Sequence, residues 1–397
     1  MSAPTSRSAF GLILLVVAFS TWERPALAQA SFNKIADLPA IIRNVQGSMV
    51  EGPDQMSYGV SASGGSTCDC GTVHRIDRLG VVHVIYAFGG FDGSFPNAPL
   101  TPDGVGGFLG TTRYGGAFGS GVVFRIGPDG RYTVLRSLNN RANAREGANP
   151  FAGLVRVGDR FFGVASVGGR TGYGTIFSLS LDGTFAVEYH LDDARGDGRY
   201  PIATLVYAHQ RLFGTTSSGG PFGNATLFSF DPSTRVYAIE WAFAGFNGSH
   251  YPEGRNLRSR MVTASDGNLW GSTVQGGRSD GGTIFVFDPV TRRLVSIYHL
   301  APYNGRRYPD GFFVQGLTEA NDGDLWGVAS GGGEFSGGVV FRMSLQGAYT
   351  VVHSFRNDLG EGVSPVGELT QMSDGRLNGV TRLGWPGGFG TLFAIYP

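Results

Sequence analysis

The residues of this sequence best suited to chemistry are His250, Tyr251 and Arg255, which lie within one short segment. Histidine can shuttle a proton near neutral pH, tyrosine can donate one, and arginine can hold a carboxylate with two parallel hydrogen bonds. This trio suits β-elimination on a uronic-acid polymer, because that reaction requires the substrate carboxylate to be neutralised. His250 and Tyr251 are therefore the candidate catalytic residues.

Candidate ligand-binding residues of the same types occur at comparable places along the chain, and they are Arg199, Arg255, Arg307 and Tyr308. Arginine and tyrosine side chains on loops held by a rigid scaffold are well placed to bind ligands. If the arginines converge with His250 on one pocket, binding of an acidic glycan or an enzymatic function gains support. If they point apart, both lose it.

Several of these polar residues also have a plainer interpretation. Tyr251 stands before a proline, as do Phe95, Tyr200 and Tyr308, so it is also predicted to be a packing residue, whereas His250 has no such counterpart. Four residues that precede glycine are predicted to form turns: Asp92, Asp197, Asn247 and Asn304. Three histidines are predicted to lie on outer strands, with surface or packing roles: His190, His299 and His353.

Cys68 and Cys70 are the two cysteines of the chain. An even cysteine count in an exported protein suggests a disulfide, and the intramolecular choice here is a short Cys-x-Cys ring. A redox or metal role is the alternative, but two thiols do not supply the ligands of a closed metal site. The pair is therefore the disulfide candidate.

The composition excludes several classes of partner. The 31 basic and 31 acidic residues balance, so neither nucleic acid nor an anionic membrane is expected. The motifs of zinc proteases, nucleotide-binding loops and serine hydrolases are missing, and no helix follows the Gly-rich stretches as a dinucleotide site would require. We expect no cofactor and no metal, with isolated calcium sites in loops left open.

These residues must be positioned by a repeat, which is marked by seven Gly-Gly pairs whose first residues are 51 to 57 positions apart: Gly64-Gly65, Gly115-Gly116, Gly168-Gly169, Gly219-Gly220, Gly276-Gly277, Gly331-Gly332 and Gly387-Gly388. A period of this length indicates a propeller or a solenoid. In the third repeat, strand-like segments cover residues 154–157, 161–164, 174–179 and 185–191, separated by short turns.

Four antiparallel strands per repeat predict an all-β fold, a seven-bladed β-propeller of four-stranded blades. A solenoid would use fewer strands per repeat. A glycine recurs in the second strand and predicts a close approach of backbones near the axis: Gly59, Gly110, Gly163, Gly214, Gly271, Gly327 and Gly379. The seventh repeat lacks a fourth strand, and residues 32–38 resemble one, so we expect the N-terminal strand to close the last blade.

The repeated pattern resembles the tandem GloVer repeat of exported bacterial proteins, often described as choice-of-anchor proteins. Good copies are Leu212-Phe213-Gly214-Thr215-Thr216 with Gly219-Gly220, and residues 121–126; His353-Ser354-Phe355 matches the fourth-strand motif. The resemblance covers roughly residues 50–397, and more distantly the repeats are similar to kelch-like blades. It implies a propeller but no particular activity. The chain ends within a blade, which favours free release over anchoring.

The first 30 residues are predicted to be a signal peptide, with residues 31–397 forming one β-propeller domain. Arg7 supplies the positive charge, residues 10–19 form an apolar run too short for a comfortable membrane span, and Ala26-Leu27-Ala28 or Ala28-Gln29-Ala30 offers a cleavage site. We therefore expect a secreted or periplasmic protein that is a monomer and is not inserted in a membrane after cleavage.

The sequence leaves three functions open. The leading hypothesis is a non-catalytic extracellular module that recognises a glycan or a cell-surface partner through the loop face carrying Arg, Tyr and His. The alternative is a carbohydrate-active enzyme, similar to a polysaccharide lyase, with its site at the channel mouth. Hydrolysis is less favoured, because no paired carboxylates stand out from the repeat. A structural scaffold without a small ligand is the third.

Overall fold

The computed structural model describes residues 30–65, 68–384 and 388–397. The predicted signal peptide and Gly387 of the last Gly-Gly pair lie outside these residues. Within them the chain forms seven separate antiparallel sheets, each built from a meander of strands. The seven-bladed propeller is therefore confirmed. No helix of the described part is both long and apolar enough to cross a membrane.

The strands follow one another blade by blade. The N-terminal strand is β1 (Ser31–Asp37). Blade 1 contains β2 (Ile42–Val45), β3 (Val50–Glu51), β4 (Ser57–Gly64), β5 (Thr72–Ile76) and β6 (Val82–Ala87). Blade 2 contains β7 (Thr101–Pro102), β8 (Phe108–Thr112), β9 (Val122–Ile126) and β10 (Tyr132–Ser137). Blade 3 contains β11 (Val155–Val157), β12 (Arg160–Ala165), β13 (Thr175–Leu179) and β14 (Phe185–His190).

A single 3₁₀ turn, Asp193–Arg195, precedes the fourth blade. Blade 4 contains β15 (Arg199–Pro201), β16 (Val206–Ala208), β17 (Arg211–Ser218), β18 (Ala225–Phe230) and β19 (Tyr237–Phe243). Blade 5 contains β20 (Val262–Thr263), β21 (Leu269–Thr273), β22 (Thr283–Asp288) and β23 (Arg293–His299). Blade 6 contains β24 (Phe312–Glu319), β25 (Leu325–Gly331), β26 (Val339–Met343) and β27 (Tyr349–Ser354). Blade 7 contains β28 (Val363–Gln371), β29 (Leu377–Leu383) and β30 (Thr391–Tyr396).

The N-terminal strand closes the ring, as predicted. β1 pairs antiparallel with β30, from Ser31 opposite Tyr396 to Asp37 opposite Thr391, and forms the outer strand of blade 7. This pairing gives β30 a neighbour on both sides, so β30 is not left as an unpaired edge of blade 7. The first and last strands of the propeller are thus held in one sheet.

A phenylalanine of the third strand explains the glycine of the second strand. The ring lies against the glycine of its neighbouring strand, and an added Cβ would clash with it in six blades: Gly110 with Phe124, Gly163 with Phe177, Gly214 with Phe228, Gly271 with Phe285, Gly327 with Phe341 and Gly379 with Phe393. The predicted close approach of backbones is therefore corrected, because the neighbour is an aromatic ring. All six rings are buried and form the centre of each blade.

Blade 1 breaks this pattern with a buried histidine. His74 pairs with Gly59 and occupies the position that phenylalanine holds elsewhere. Its side chain is fully buried, and its Nε2 atom has no hydrogen-bond partner among the described residues. Burial lowers the pKa of His74 from its ordinary 6.5 to about 4. The imidazole is therefore neutral in the folded protein at physiological pH.

We expect His74→Phe to remove an acid-dependent loss of stability. Between pH 6.5 and 4 the unfolded chain binds a proton at His74 that the folded protein does not, so stability falls as the pH falls. The cost reaches about 2 kcal/mol at pH 5. Urea denaturation at pH 7.5 and pH 5 measures it, with the exposed His209→Phe as the control. Equal pH dependence in His74→Phe and the parent protein would contradict the assignment.

Candidate functional site

A cavity of about 400 Å³ lies on the propeller axis, and all seven blades contribute to its wall. Most wall residues come from the segment that begins each blade, which we call its first segment. These residues are Gln46, Gly47, Ser48, Asn97, Ala98, Pro99, Phe151, Ala152, Ile202, Thr204, Asn256, Arg258, Ser259, Arg260, Phe313, Val314, Gln315, Gly367 and Glu368. Val274, Gln275, Ser330 and Arg382 add the ends of second strands. These ends lead into the Gly-Gly loops, so the cavity belongs to the face that carries the loops after the second and fourth strands.

Most of the wall comes from one four-residue stretch per blade, which precedes, interrupts or distorts the innermost strand. Each stretch ends on a buried leucine or methionine: Met49, Leu100, Leu154, Leu205, Met261, Leu317 and Leu369. The residue before this anchor is Ser48, Pro99, Gly153, Thr204, Arg260, Gly316 and Glu368 in the seven blades. Five blades thus have a small or uncharged residue there, and blades 5 and 7 have an ion pair instead.

Arg260 and Glu368 meet across blade 6. The Arg260 Nη2 atom lies 2.7 Å from the Glu368 Oε2 atom, and the Glu368 side chain lies over Gly316, where an added Cβ would clash with it. The Glu368 amide also donates to Ser48 Oγ at 2.6 Å. Burial raises the pKa of Glu368 above its ordinary value, although the Arg260 guanidinium opposes this shift. The Arg260 Nε atom is buried and has no hydrogen-bond partner within the described chain.

The rest of the cavity is cationic and rich in amides. Arg258 and Arg382 join Arg260, so three guanidinium groups face one carboxylate, Glu368, which leaves two positive charges in excess. Five amide side chains supply paired donors and acceptors around them: Gln46, Asn97, Asn256, Gln275 and Gln315. Such a wall can bind a carboxylate through arginine and hydroxyl groups through the amides.

A left-handed backbone conformation recurs above the cavity in every blade. The residues and their φ angles are Asn44 (55°), Phe95 (57°), Asn149 (54°), Tyr200 (57°), Asn256 (62°), Phe313 (61°) and Ser364 (56°). Asparagine tolerates this conformation, but an aromatic residue adopts it at a cost of about 1 kcal/mol or more. Aromatic rings at Phe95, Tyr200 and Phe313 therefore indicate a use beyond the turn itself.

The same repeat position corrects the predicted equivalence of Tyr251 with Phe95 and Tyr200. Asn256 and Phe313 share the left-handed conformation of Phe95 and Tyr200, whereas Tyr251 and Tyr308 lie five residues earlier in the chain and do not have it. The Tyr-Pro steps of blades 5 and 6 are thus not equivalent to those of blades 2 and 4. The Gly-Gly pair of blade 6 is likewise shifted by one residue to Gly332-Gly333, which have φ angles of 79°.

The predicted site around His250 lies in the segment that leads down to the cavity. His250 closes a turn with Asn247, whose side chain accepts the His250 amide at 2.9 Å. The Arg255 guanidinium lies 4.9 Å from the centre of the Tyr251 ring and 3.9 Å from the Asp280 carboxylate. The Arg255 amide donates to the carbonyl of Gln275, a wall residue, at 2.8 Å. The structure therefore brings Tyr251 and Arg255 together beside the cavity.

The other predicted residues are held within their own loops. Arg199 pairs with Asp193 at 2.7 Å and lies 5.2 Å from the Tyr173 ring. Arg307 lies 3.9 Å from the Glu334 carboxylate. Among the described residues no hydrogen bond or ion pair joins His250 and the three arginines Arg199, Arg255 and Arg307 to one another, and none of the four lines the cavity wall. Their part in ligand binding stays a prediction.

The acidic residues of the fourth-strand loops are structural. Each accepts the amide of the residue one or two positions beyond the fourth strand: Asp92 from Gly89, Glu146 from Asn139, Asp197 from Asp192, Glu253 from Ala244, Asp310 from Ala301 and Glu361 from Arg356. Asn247 and Asn304 instead accept the amides two and three residues later, within their own turns. The predicted turn role of Asp92, Asp197, Asn247 and Asn304 is therefore confirmed.

The outer histidines and the cysteines also have local roles. His190, His299 and His353 lie on fourth strands, as predicted, and His353 contacts Glu361 at 3.1 Å. Cys68 and Cys70 are joined by a disulfide in the loop between β4 and β5. Asp69 between them pairs with Arg43 at 2.6 Å. In the described part of the chain, no three His, Cys, Asp or Glu side chains are grouped as a metal site would require.

Sequence reasoning missed Arg258, Arg260, Glu368 and Arg382. An alignment on the buried leucine or methionine that ends each stretch would have shown the first three, because no other charged residue occurs in these four positions of any blade. Arg382 lies near the end of the second strand β29 and has no such signal. His74 was also missed, although the segment Gly71-Thr72-Val73-His74 departs visibly from the Gly-Thr-x-Phe pattern.

The fold and cavity define a seven-bladed β-propeller with a polar pocket on its axis. The chain belongs to the Gloeobacter/Verrucomicrobia repeat family, which it matches over residues 44–258 and 246–397. This match confirms the resemblance to the repeat. It gives no information on a relation to kelch-like blades or on anchoring. No curated protein matches the sequence.

Solved structures share the fold at low sequence identity. A streptogramin B lyase is 13% identical with a TM-score of 0.58, over 92% of this chain and 97% of that one. Virginiamycin B lyase from Staphylococcus aureus is 12% identical with a TM-score of 0.59, over 93% and 99%. The extracellular domain of a hybrid two component system from B. thetaiotaomicron is 10% identical with a TM-score of 0.60, over 91% and 39%. These likenesses concern the fold alone.

Proposed function

We propose that this protein is an exported binding module that holds a carboxylate-bearing sugar, such as a uronic acid, in the cavity on its axis. The observation that carries the proposal is the placement of Arg258 and Arg260 at wall positions that are uncharged in most other blades. Arg382 adds a third guanidinium, and the amides of the wall suit hydroxyl groups. Export is inferred from the N-terminal sequence, and we propose that the mature protein acts as a monomer.

The proposal predicts that binding depends on the cavity arginines. The double variant Arg258→Ala/Arg382→Ala should bind digalacturonate at least a hundredfold more weakly, because each lost charge-assisted contact removes about 1.5–3 kcal/mol. Arg260 is kept so that Glu368 retains its partner. The control is Arg131→Ala, which removes an arginine that is 91% exposed on the opposite face. Isothermal titration calorimetry makes the measurement, and unchanged affinity in the double variant would refute the site.

A lyase is the second candidate, and Glu368 is the observation that favours it. A carboxylate whose pKa is raised by burial, beside a guanidinium, can abstract the proton next to a uronate carboxyl group. The electrons of the broken C–H bond then form a C=C bond, and the glycosidic oxygen leaves with a proton taken from water. Unsaturated products absorb in the ultraviolet, so their release from polygalacturonate, and its loss in Glu368→Gln or in His250→Ala, would favour this alternative. Binding without product favours the module.

A further inference from the structure

Exposed aromatic side chains are concentrated on the loop face that carries the cavity. Nine of them lie on this face, in the loops after second and fourth strands or next to them: Phe91, Phe95, Tyr114, Phe118, Tyr200, Phe222, Phe246, Tyr303 and Phe335. The opposite face exposes two aromatic residues, Tyr207 and Tyr396, besides aliphatic residues such as Leu79 and Val290. Most of the exposed aromatic side chains of the described residues therefore lie on one face of the ring.

One of these rings, Tyr303, begins a line of four aromatic rings that leads to the cavity along blade 6. Tyr303 is 55% exposed at the outer end. Ring centres are separated by 5.3 Å from Tyr303 to Tyr308, 4.9 Å from Tyr308 to Phe312 and 4.8 Å from Phe312 to Phe313. Phe313 is a wall residue of the cavity. The line thus runs from the exposed Tyr303 ring to the cavity wall.

The blade scaffold does not require this line. Phe312 pairs with Gly331, and its ring lies on that glycine, where an added Cβ would clash with it. At the matching pair of blade 2 stand Ser94 and Tyr114, and in blade 5 Arg255 and Gln275. Phe313 in addition holds the strained left-handed conformation. The blade can therefore form without aromatic residues at the positions of Phe312 and Phe313.

A shorter line leads to the cavity along blade 5. Phe246 is 59% exposed, and its ring centre lies 5.5 Å from that of Tyr251. Tyr251 carries the Arg255 guanidinium at 4.9 Å, and Arg255 pairs with the wall residue Gln275. This second line contains two of the residues predicted from the sequence.

We infer that the ligand is an extended acidic polysaccharide, which lies along these aromatic lines and places one sugar unit in the cavity. The inference rests on the proposed function. An aromatic ring has an electron-rich face on which the C–H groups of a pyranose can stack. The side chains of Asn304, Arg306 and Arg307, which lie between Tyr303 and Tyr308 in the sequence, can form hydrogen bonds with hydroxyl and carboxylate groups.

The inference is tested by the dependence of affinity on chain length. Calorimetry with galacturonate oligomers of two and eight units should show at least tenfold tighter binding of the octamer. The double variant Tyr303→Ala/Phe246→Ala should lose about tenfold in octamer affinity and keep its dimer affinity, since each ring contributes about 0.5–1.5 kcal/mol. Both residues are exposed, so folding should be unaffected. Phe91→Ala, with a side chain that is 93% exposed in the loop before blade 2, is the matched control.

The possible outcomes separate the two proposals. Equal affinity for dimer and octamer would overturn the extended ligand and leave the cavity site standing. Binding of a neutral octamer that depends on Tyr303 and Phe246 but not on Arg258 would overturn the acidic cavity site. If no saccharide binds and the aromatic double variant loses self-association seen in analytical ultracentrifugation, the face is a protein contact surface and the inference fails.

Discussion

Replacing Gly271 with alanine is expected to lower the free energy of unfolding by about 3 kcal/mol. The added methyl group would clash with the ring of Phe285, which lies on β22 and is buried at the centre of blade 5. Neither the strand backbone nor the ring can move without disturbing the strands paired on both sides. Urea denaturation followed by tryptophan fluorescence measures the loss.

A second substitution tests the cause of this loss. Phe285→Leu shortens the side chain that the methyl group meets, so Gly271→Ala/Phe285→Leu should be less unstable than the sum of the single variants. Gly281→Ala in the same blade is the control, because an added Cβ there has only an ordinary contact with Leu300 at 3.6 Å. Additive costs would show that the glycine is needed for another reason, such as strand conformation.

Replacing Phe32 with alanine is expected to cost about 3 kcal/mol, because it weakens the strand that closes the ring. The Phe32 ring stacks on His353 of blade 6 with centres 3.9 Å apart, and it also meets Phe355 and Phe393. It therefore joins β1 both to its own blade and to the preceding one. Thermal unfolding by differential scanning calorimetry gives the shift in Tm.

The matched control for this variant is again Phe91→Ala, which removes a phenylalanine without buried contacts. We further expect Phe32→Ala to form dimers or aggregates at concentrations where Phe91→Ala stays monomeric, since loosening of β1 exposes the edge of β30. Size-exclusion chromatography reports this difference. A Phe32→Ala protein with parental Tm would show that main-chain pairing alone closes the ring.

The architecture could be predicted from the sequence because its causes are local and repeated seven times. Glycine pairs, Asp-Gly turns and alternating strands each favour the same four-stranded meander, and the missing strand at one end matched the spare one at the other. What each glycine contacts could not be predicted this way. The ring of Phe285 reaches Gly271 across strands, and cross-strand contacts depend on a register that the sequence pattern does not state.

The candidate site was harder to predict, for a physical reason. His250 and Arg255 were chosen by residue type in the loops, whereas the cavity wall comes from the first segments, which read as ordinary short strands. Arg260 and Glu368 are more than 100 residues apart in sequence and meet only because blades 5 and 7 flank the small Gly316 of blade 6. Side chains of distant repeats converge because the blades are arranged in a ring, and the sequence of a single repeat does not show this arrangement.

The pairing of β1 with β30 also has a consequence for the order of events when the chain is made. Ser31 is synthesised long before its partner Tyr396, so the sheet of blade 7 stays open until β30 has been made. The loop closed by this step is almost the whole protein, and closing it costs more entropy than any hairpin within a blade. The other six blades can assemble before that point, but the ring closes only once β30 is available to β1. A chain truncated before β30 lacks the strand that β1 needs.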